Sequence, residues 1–257
     1  MAGQRKGRLI FYPYKMGSKS CGDLVEALRN SQDARKTFRA FPDRRFLSRS
    51  NDIIINWGNS RLPNWGFNQM INPPQSVARA ANKLVALRTL DSAGVNTPTY
   101  TTDREQAAEY ARCVVRHKLN GHSGDGIEII EHGNPIPAAP LYVEFLPKSV
   151  EYRVHIFRGK VIDYTKKVKR VNGEVKSRVD GDFVRSHELG WELIREVTPR
   201  ESVIKLANDA VAALGLYFGA VDIIRSNRVN YVLEVNTACG LSEIGIEAYK
   251  CAIMELL

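Results

Sequence analysis

Tyr231-Val232-Leu233-Glu234-Val235-Asn236-Thr237 decides the reading of this chain, together with Val221-Asp222-Ile223-Ile224 shortly before it. Both runs are apolar and rich in β-branched residues, the composition of buried strands. A polar turn, Ser226-Asn227-Arg228, separates them. A strand period of two puts Glu234 and Asn236 on one face, and pairing across the turn would bring Asp222 to the same point. Carboxylate and amide oxygens suit a hard divalent cation such as Mg²⁺, which usually keeps several waters and completes its shell with substrate phosphates. The competing reading places each acid on a solvated face. The tight apolar flanks oppose it, because a buried acid needs a cation, a metal or a raised pKa, and few lysines or arginines stand nearby in sequence.

The rest of the chain is consistent with a globular protein. It has 257 residues, 44% hydrophobic and 25% charged, enough for one large or two small domains with real cores. The basic N-terminus leads only into the short Leu9-Ile10-Phe11-Tyr12 run, which reads as neither a signal peptide nor a membrane span. Cys21, Cys113, Cys239 and Cys251 are widely spaced, so a reducing, cytoplasmic setting is expected. The formal charge of +9 favours anionic partners. Lys166, Lys167, Lys169, Arg170, Lys176 and Arg178 form a basic segment, but no nucleic-acid-binding motif accompanies it; a solvated hairpin explains it equally well.

Along the chain, Arg8 to Tyr12 and Asp52 to Asn56 read as strands around a helix starting near Ser20, with Ser20 and Asp23 at capping-box spacing. Pro73-Pro74 breaks the chain, and Ser76 then caps one helix running to Gly94. Thr102 and Glu105 start a short helix. Strands follow at Cys113 to Arg116, Ile127 to Ile130, Leu141 to Phe145, Glu151 to Phe157 and Lys160 to Val168, with tight turns at Arg158-Gly159 and Asn172-Gly173. Residues 177–197 show no period and read as loop. Thr198-Pro199-Arg200-Glu201 opens an amphipathic helix that Gly215 ends. The division expected is an α/β domain over 1–75 followed by two α+β subdomains over 76–146 and 147–257.

Gly121-His122-Ser123-Gly124-Asp125-Gly126 joins two apolar strands. Its glycines let the backbone approach a ligand, and its N–H groups can hold phosphate oxygens. Arg116 stands at the end of the preceding strand. A strand containing Glu144-Phe145-Leu146 then halts at Pro147 and resumes at Glu151-Tyr152-Arg153.

In this order and spacing, from about Lys83 to Leu241, the chain resembles the ATP-grasp superfamily of carboxylate-amine ligases, which includes D-alanine ligases and RimK-like enzymes. The resemblance implies a glycine loop (Gly121, His122, Ser123, Gly124, Gly126) closing over the phosphates of ATP. It also implies a hinge (Glu144, Phe145, Leu146) facing adenine, Glu151 on the ribose, and Asp222, Glu234 and Asn236 on two Mg²⁺ ions, for which Mn²⁺ can substitute. Lys83, which otherwise looks like a solvent-facing helix lysine, would reach the nucleotide phosphates. Arg116 stands where many relatives carry a lysine, and Arg153 matches an arginine directed at the phosphate or acyl phosphate. Arg185 and His187 match a substrate-side segment loosely. Lys19, Ser20 and Asn56, at the ends of N-terminal strands, and Thr237 complete the candidate substrate side.

The activity implied is amide formation between a small-molecule or peptide carboxylate and an amine acceptor, driven by ATP through an acyl phosphate. Two alternatives stand beside it. One is a kinase-like or inactive nucleotide-binding protein of the same fold. The other is a nucleic-acid-binding protein that uses the 166–178 segment.

Overall fold

A computed structural model describes residues 7–31, 36–42, 46–120, 125–172, 174–176, 190–195 and 200–256. They build three sheets. The first is parallel, in the order β2-β1-β3-β4, from β1 (Leu9–Pro13), β2 (Thr37–Arg39), β3 (Ile53–Trp57) and β4 (Met70–Ile71). Helix α1 (Lys19–Arg29) packs its apolar stripe, Cys21, Leu24, Val25 and Leu28, into the core formed with β1 and β3. The capping box expected at Ser20 and Asp23 is absent: Ser18 is the N-cap residue and makes no side-chain cap bond, while Asp23 pairs with Lys19 one turn back.

The segment after Pro73-Pro74 is two helices, α2 (Pro74–Ala81) and α3 (Lys83–Ser92), where the apolar stripe suggested one. Asn82 causes the break. Its backbone is extended and its side-chain oxygen accepts from Val85 N at 3.1 Å, so it caps α3; Ser76 lies inside α2 and caps nothing. Helix α4 (Arg104–Ala108) takes Asp103, not Thr102, as its N-cap. The second sheet, antiparallel in the order β5-β8-β6-β7, comprises β5 (Tyr100–Thr101), β6 (Arg112–Arg116), β7 (Ile127–Glu131) and β8 (Leu141–Glu144).

The third sheet runs in the order β11-β10-β9-β13-β14, with β12 pairing β10. Its strands are β9 (Val150–Phe157), β10 (Lys160–Val171), β11 (Glu174–Lys176), β12 (Trp191–Ile194), β13 (Phe218–Ser226) and β14 (Val229–Asn236). Strand β12 lies in the stretch read as loop; it was hidden because one buried tryptophan, Trp191, anchors it and its middle two residues are exposed. Thr198 and Pro199 are outside the described residues, and α5 (Glu201–Ala213) begins after Arg200. One face of this sheet, with Val154, Val221, Ile223, Val232 and Val235, packs on Val203, Ala207, Ala210 and Val211 of α5.

The other face meets the first sheet. Phe157 and Phe218 stack at 5.7 Å, Trp57 of β3 stacks on Phe218 at 5.4 Å, and Tyr249 of α6 (Glu243–Met254) meets Trp57 edge-on at 5.3 Å. Helix α6 also packs on α1, so the last helix of the chain helps close the core of the first sheet. Buried Asn72 fastens the same junction: its oxygen accepts from Tyr217 N and Phe218 N, and its nitrogen donates to Phe218 O. Among the described residues no helix is long and apolar enough to cross a membrane, and Cys21, Cys113, Cys239 and Cys251 are free thiols.

Candidate functional site

Three neighbouring strands place one charged residue each in a single row. Arg153 on β9 stands directly opposite Asp222 on β13, which stands opposite Glu234 on β14. The two-residue turn Asn227-Arg228, with both residues in left-handed backbone, sets the β13–β14 register. A bulge sets the rest. The register slips between Asp222 and Ile223, so Leu233 is the extra residue on β14. Without it, alternation would put Val232 on the same face as Glu234 and Asn236. With it, Val232 joins the core against α5, Leu233 turns into the apolar pocket beside Lys83 and Arg116, and Glu234 keeps its place in the row.

Cations reach both acids from far along the chain. Arg153 holds Asp222 with two bonds, Nε to Oδ1 at 2.7 Å and Nη2 to Oδ2 at 2.8 Å, the fork geometry that makes arginine selective for carboxylates. Lys83 donates to Glu234 Oε2. It does so because the Asn82 break starts α3 at Lys83, whose own N–H bonds Leu119 O at 2.9 Å; Lys83 is buried and not a solvent-facing lysine. Asn236 donates to Glu234 Oε1 at 2.9 Å and to Asp222 Oδ2 at 3.4 Å. Arg116 completes the cluster from the end of β6, lining the same pocket as Lys83 and Glu234. Buried Asp222 and half-buried Glu234 thus have cation partners, which local sequence did not disclose.

The two carboxyls are driven apart in acidity. Burial raises Asp222 above the ordinary carboxylate value despite Arg153. Burial would raise Glu234 as well, but the charge and hydrogen bond of Lys83, the amide of Asn236 and the charge of Arg153 outweigh it and hold Glu234 well below that value. With both acids ionised, Lys83, Arg116 and Arg153 still leave the cluster one positive charge in excess, which suits a polyanion. Among the described residues no group of three His, Cys, Asp or Glu side chains is placed to hold a metal. A cation here would therefore take two carboxylates and, after half a turn of the amide, Oδ1 of Asn236, a set of hard oxygen donors.

Two residues before Arg153 on the same strand, Glu151 is buried and accepts from Lys167 at 2.6 Å and Lys148 at 3.1 Å; these cations hold its carboxyl low against the effect of burial. Lys167 belongs to the basic segment, whose described residues pair β10 with β11 and whose other charges are partly met by acids, Arg170 by Glu192 and Lys176 by Glu174, while Gly173 and Arg178 lie outside the described residues. At the expected hinge, Glu144 N bonds Thr99 O and Phe145 N bonds Arg112 O, so the Phe145 N–H is already committed; Leu146 follows it, half-buried. Gly126 adopts left-handed backbone beside Lys118. Gly121, His122, Ser123, Gly124, Arg185 and His187 lie outside the described residues.

On the side of the first sheet, the expected residues divide. Lys19 is exposed and paired with Asp23, and Ser20 accepts from the Trp57 indole at 3.3 Å. Asn56 is fully buried with both ends of its amide bound to the backbone of Asn59, so it shapes the turn after β3 and offers nothing to a ligand. That turn reaches the site by another residue: a Cβ on Gly58 would stand 2.4 Å from Ala238 Cβ, immediately beyond buried Thr237.

His155, on the same face of β9 as Arg153, was not singled out from sequence because a lone histidine in a strand carries no signal. Burial pushes it down to about 4, Asp163 opposing and Arg153 and Arg195 assisting. The unfolded chain therefore binds a proton that the folded chain refuses between about pH 6.5 and 4. Stability is expected to fall as pH drops through this window, by up to roughly 3 kcal/mol from this group. Urea midpoints measured from pH 8 to 4 check this; His155→Gln should flatten the profile there.

With this geometry established, a family model of the ATP-grasp domain matches residues 80–239, well over half of the chain. The chain belongs to the ATP-grasp family. The matched span contains all of Lys83, Arg116, Glu151, Arg153, Asp222, Glu234 and Asn236. Probable alpha-L-glutamate ligase 1 of Shewanella oneidensis is 31% identical over 195 residues, 67% of this chain and 60% of that protein, so this ATP-grasp chain spans about 60% of that relative's length. D-cycloserine synthetase DcsG has the same fold, with a TM-score of 0.67 at 16% identity, over 97% of this chain and 99% of that one. The ATP-grasp ligase PsnB, in complex with Mg, ADP and a phosphomimetic variant of its minimal precursor, matches with a TM-score of 0.66 at 13% identity, over 98% and 99%.

Proposed function

We propose that this chain is an ATP- and Mg²⁺-dependent carboxylate-amine ligase. The observation that carries the reading is the row Arg153, Asp222 and Glu234, closed by Lys83 and Asn236: two carboxylates and an amide for a cation, ringed by cations for phosphate. Membership of the ATP-grasp family and the ligase names of the relatives support it. Asp222, Glu234 and Asn236 would hold Mg²⁺, two ions with Glu234 shared, and Mn²⁺ suits the same oxygens. ATP would supply the phosphoryl group that turns the substrate carboxylate into an acyl phosphate, which an amine converts to the amide with release of phosphate.

For this chemistry the chain's own residues align reactants and neutralise charge. Lys83 and Arg116 meet the nucleotide phosphates, and Glu151 the ribose. Arg153, a rigid planar fork at the end of the row, offsets charge spreading over the transferred group. The hinge from Glu144 to Leu146 borders the base. The carboxylate and amine lie towards Thr237 and the β1–α1 end of the first sheet, where Lys19 and Ser20 stand, and the net charge favours an anionic substrate. In this reading the units are 1–75, 76–146 and 147–257, and the nucleotide would lie between the second and third.

Incubation with Mg-ATP, hydroxylamine and a panel of carboxylates that includes L-glutamate tests this. The expected result is a hydroxamate formed in step with ADP and only with the correct carboxylate. ADP release without hydroxamate at any carboxylate would overturn the ligase reading in favour of a kinase or ATPase.

A further inference from the structure

Beneath the loop that follows Asn236 lies a buried polar cluster that the proposed reaction does not use. Tyr249 Oη is 3.2 Å from His155 Nδ1 and 3.4 Å from Cys239 Sγ, and Sγ is 3.7 Å from the same nitrogen. All three side chains are buried, Tyr249 completely. A buried phenol hydroxyl needs partners. One arrangement uses each proton once: the Cys239 thiol donates to Oη, and Oη–H donates to Nδ1 of neutral His155.

The three residues come from three places. His155 lies two residues beyond Arg153 on β9 and opposite Ala220 of β13, whose other neighbour is Asn236. Cys239 lies in the loop three residues past Asn236, and Tyr249 lies on α6. The Tyr249 ring also meets Trp57 and Phe218 edge-on, so one side chain touches the first sheet, the third sheet and the loop. From the opposite side Gly58 abuts Ala238. Helix α6 has a second polar anchor at its start: Ser242 accepts from Arg195, which grips Asp163, the residue opposite His155 on β10.

Asn236 ends β14, so no strand pairing holds the chain beyond it. Its backbone is paired with Ala220 and its amide bonds Glu234 and Asp222, and on its C-terminal side only the loop steadies it. We infer that Tyr249 is a positioning residue for the cation site: its hydroxyl, bridging His155 and Cys239, fixes the 237–239 loop and through it the amide of Asn236. Groups behind a metal ligand preorganise it, and their loss typically weakens metal binding 10- to 100-fold. The inference rests on the cation site of the proposed function.

Tyr249→Phe keeps the ring packing and removes only Oη. Mn²⁺ binding, followed by electron paramagnetic resonance with the full chain at saturating ADP, should weaken about tenfold, while ADP binding without metal stays within about twofold of the unaltered chain. Cys239→Ser, which retains a donor to Oη, should bind Mn²⁺ as the unaltered chain does; Cys239→Ala should resemble Tyr249→Phe. Ile253→Val, a change elsewhere on α6 that lowers stability by cavity formation, should leave Mn²⁺ affinity unchanged. Unaltered Mn²⁺ affinity in Tyr249→Phe, or an equal loss in Ile253→Val, overturns the positioning role and leaves the ligase reading standing. Absence of Mn²⁺ binding in the unaltered chain overturns the cation site itself.

Discussion

Replacing Glu234 with glutamine is expected to lower Mg²⁺-dependent ADP formation by a factor of about 10² or more with the fold retained. Glutamine keeps the shape and an oxygen that can accept from Lys83, so the cost in stability is expected to be about 1–2 kcal/mol, below that of breaking a buried pair outright. The charge is what a cation loses. In the folded chain Glu234 is the more acidic of the two carboxyls because Lys83, Asn236 and Arg153 surround it, so it is ionised across the whole physiological range and available as the anionic ligand. Asp222→Asn is expected to act in the same direction. Circular dichroism and the urea midpoint check the fold, and coupled ADP assays at varied Mg²⁺ check the loss. Full turnover in both variants would remove the metal assignment.

Arg153→Met is expected to cost about 3–5 kcal/mol in stability, towards the lower end because the arginine side chain is 23% exposed while Asp222 is 9% exposed. The change leaves a buried carboxylate without its forked partner. Burial already raises Asp222; without Arg153 it rises further, and the folded chain then holds a proton that the unfolded chain releases. The deficit is therefore largest above the folded pKa and closes as pH falls through it, a pH dependence that simple loss of packing does not produce. In the double variant Arg153→Met, Asp222→Leu, stability should return because neither charge remains buried, while activity stays lost. Failure of the double variant to recover would mean that the row is held by something other than this pair.

The expected loss from each change follows from long-range pairing, and this separates what was readable in sequence from what was not. The composition and period of residues 221–237 made two strands and three oxygen-bearing side chains legible, because a β-strand's period of two is local and apolar flanks around an acid are conspicuous. The turn at Asn227-Arg228 and the helix running up to Gly215 were legible for the same reason. Local signals failed where two turn residues compete, as at Ser18 against Ser20 and Asp103 against Thr102: several side chains can cap a helix, and packing chooses between them. They also failed at Asn82, whose capping bond to Val85 divides a continuous apolar stripe and turns Lys83 inwards.

By itself, then, the sequence determined the α/β class, the set of two acids and an amide, the glycine-rich connection and the spacing of Glu144 and Glu151, all of which are short-range patterns of residue type. Tertiary structure alone decided that Lys83 and Arg153 neutralise those acids, that the Leu233 bulge keeps Glu234 in the row while sending Val232 to the core, that Asn56 is spent on a turn, and that Tyr249 joins both sheets to the loop behind Asn236. The Asn56 turn and the Leu233 bulge are settled between near neighbours, but the other features depend on residues tens to more than a hundred positions apart meeting in a low-dielectric interior. There a charge or hydroxyl must find a partner, and only the folded chain selects which.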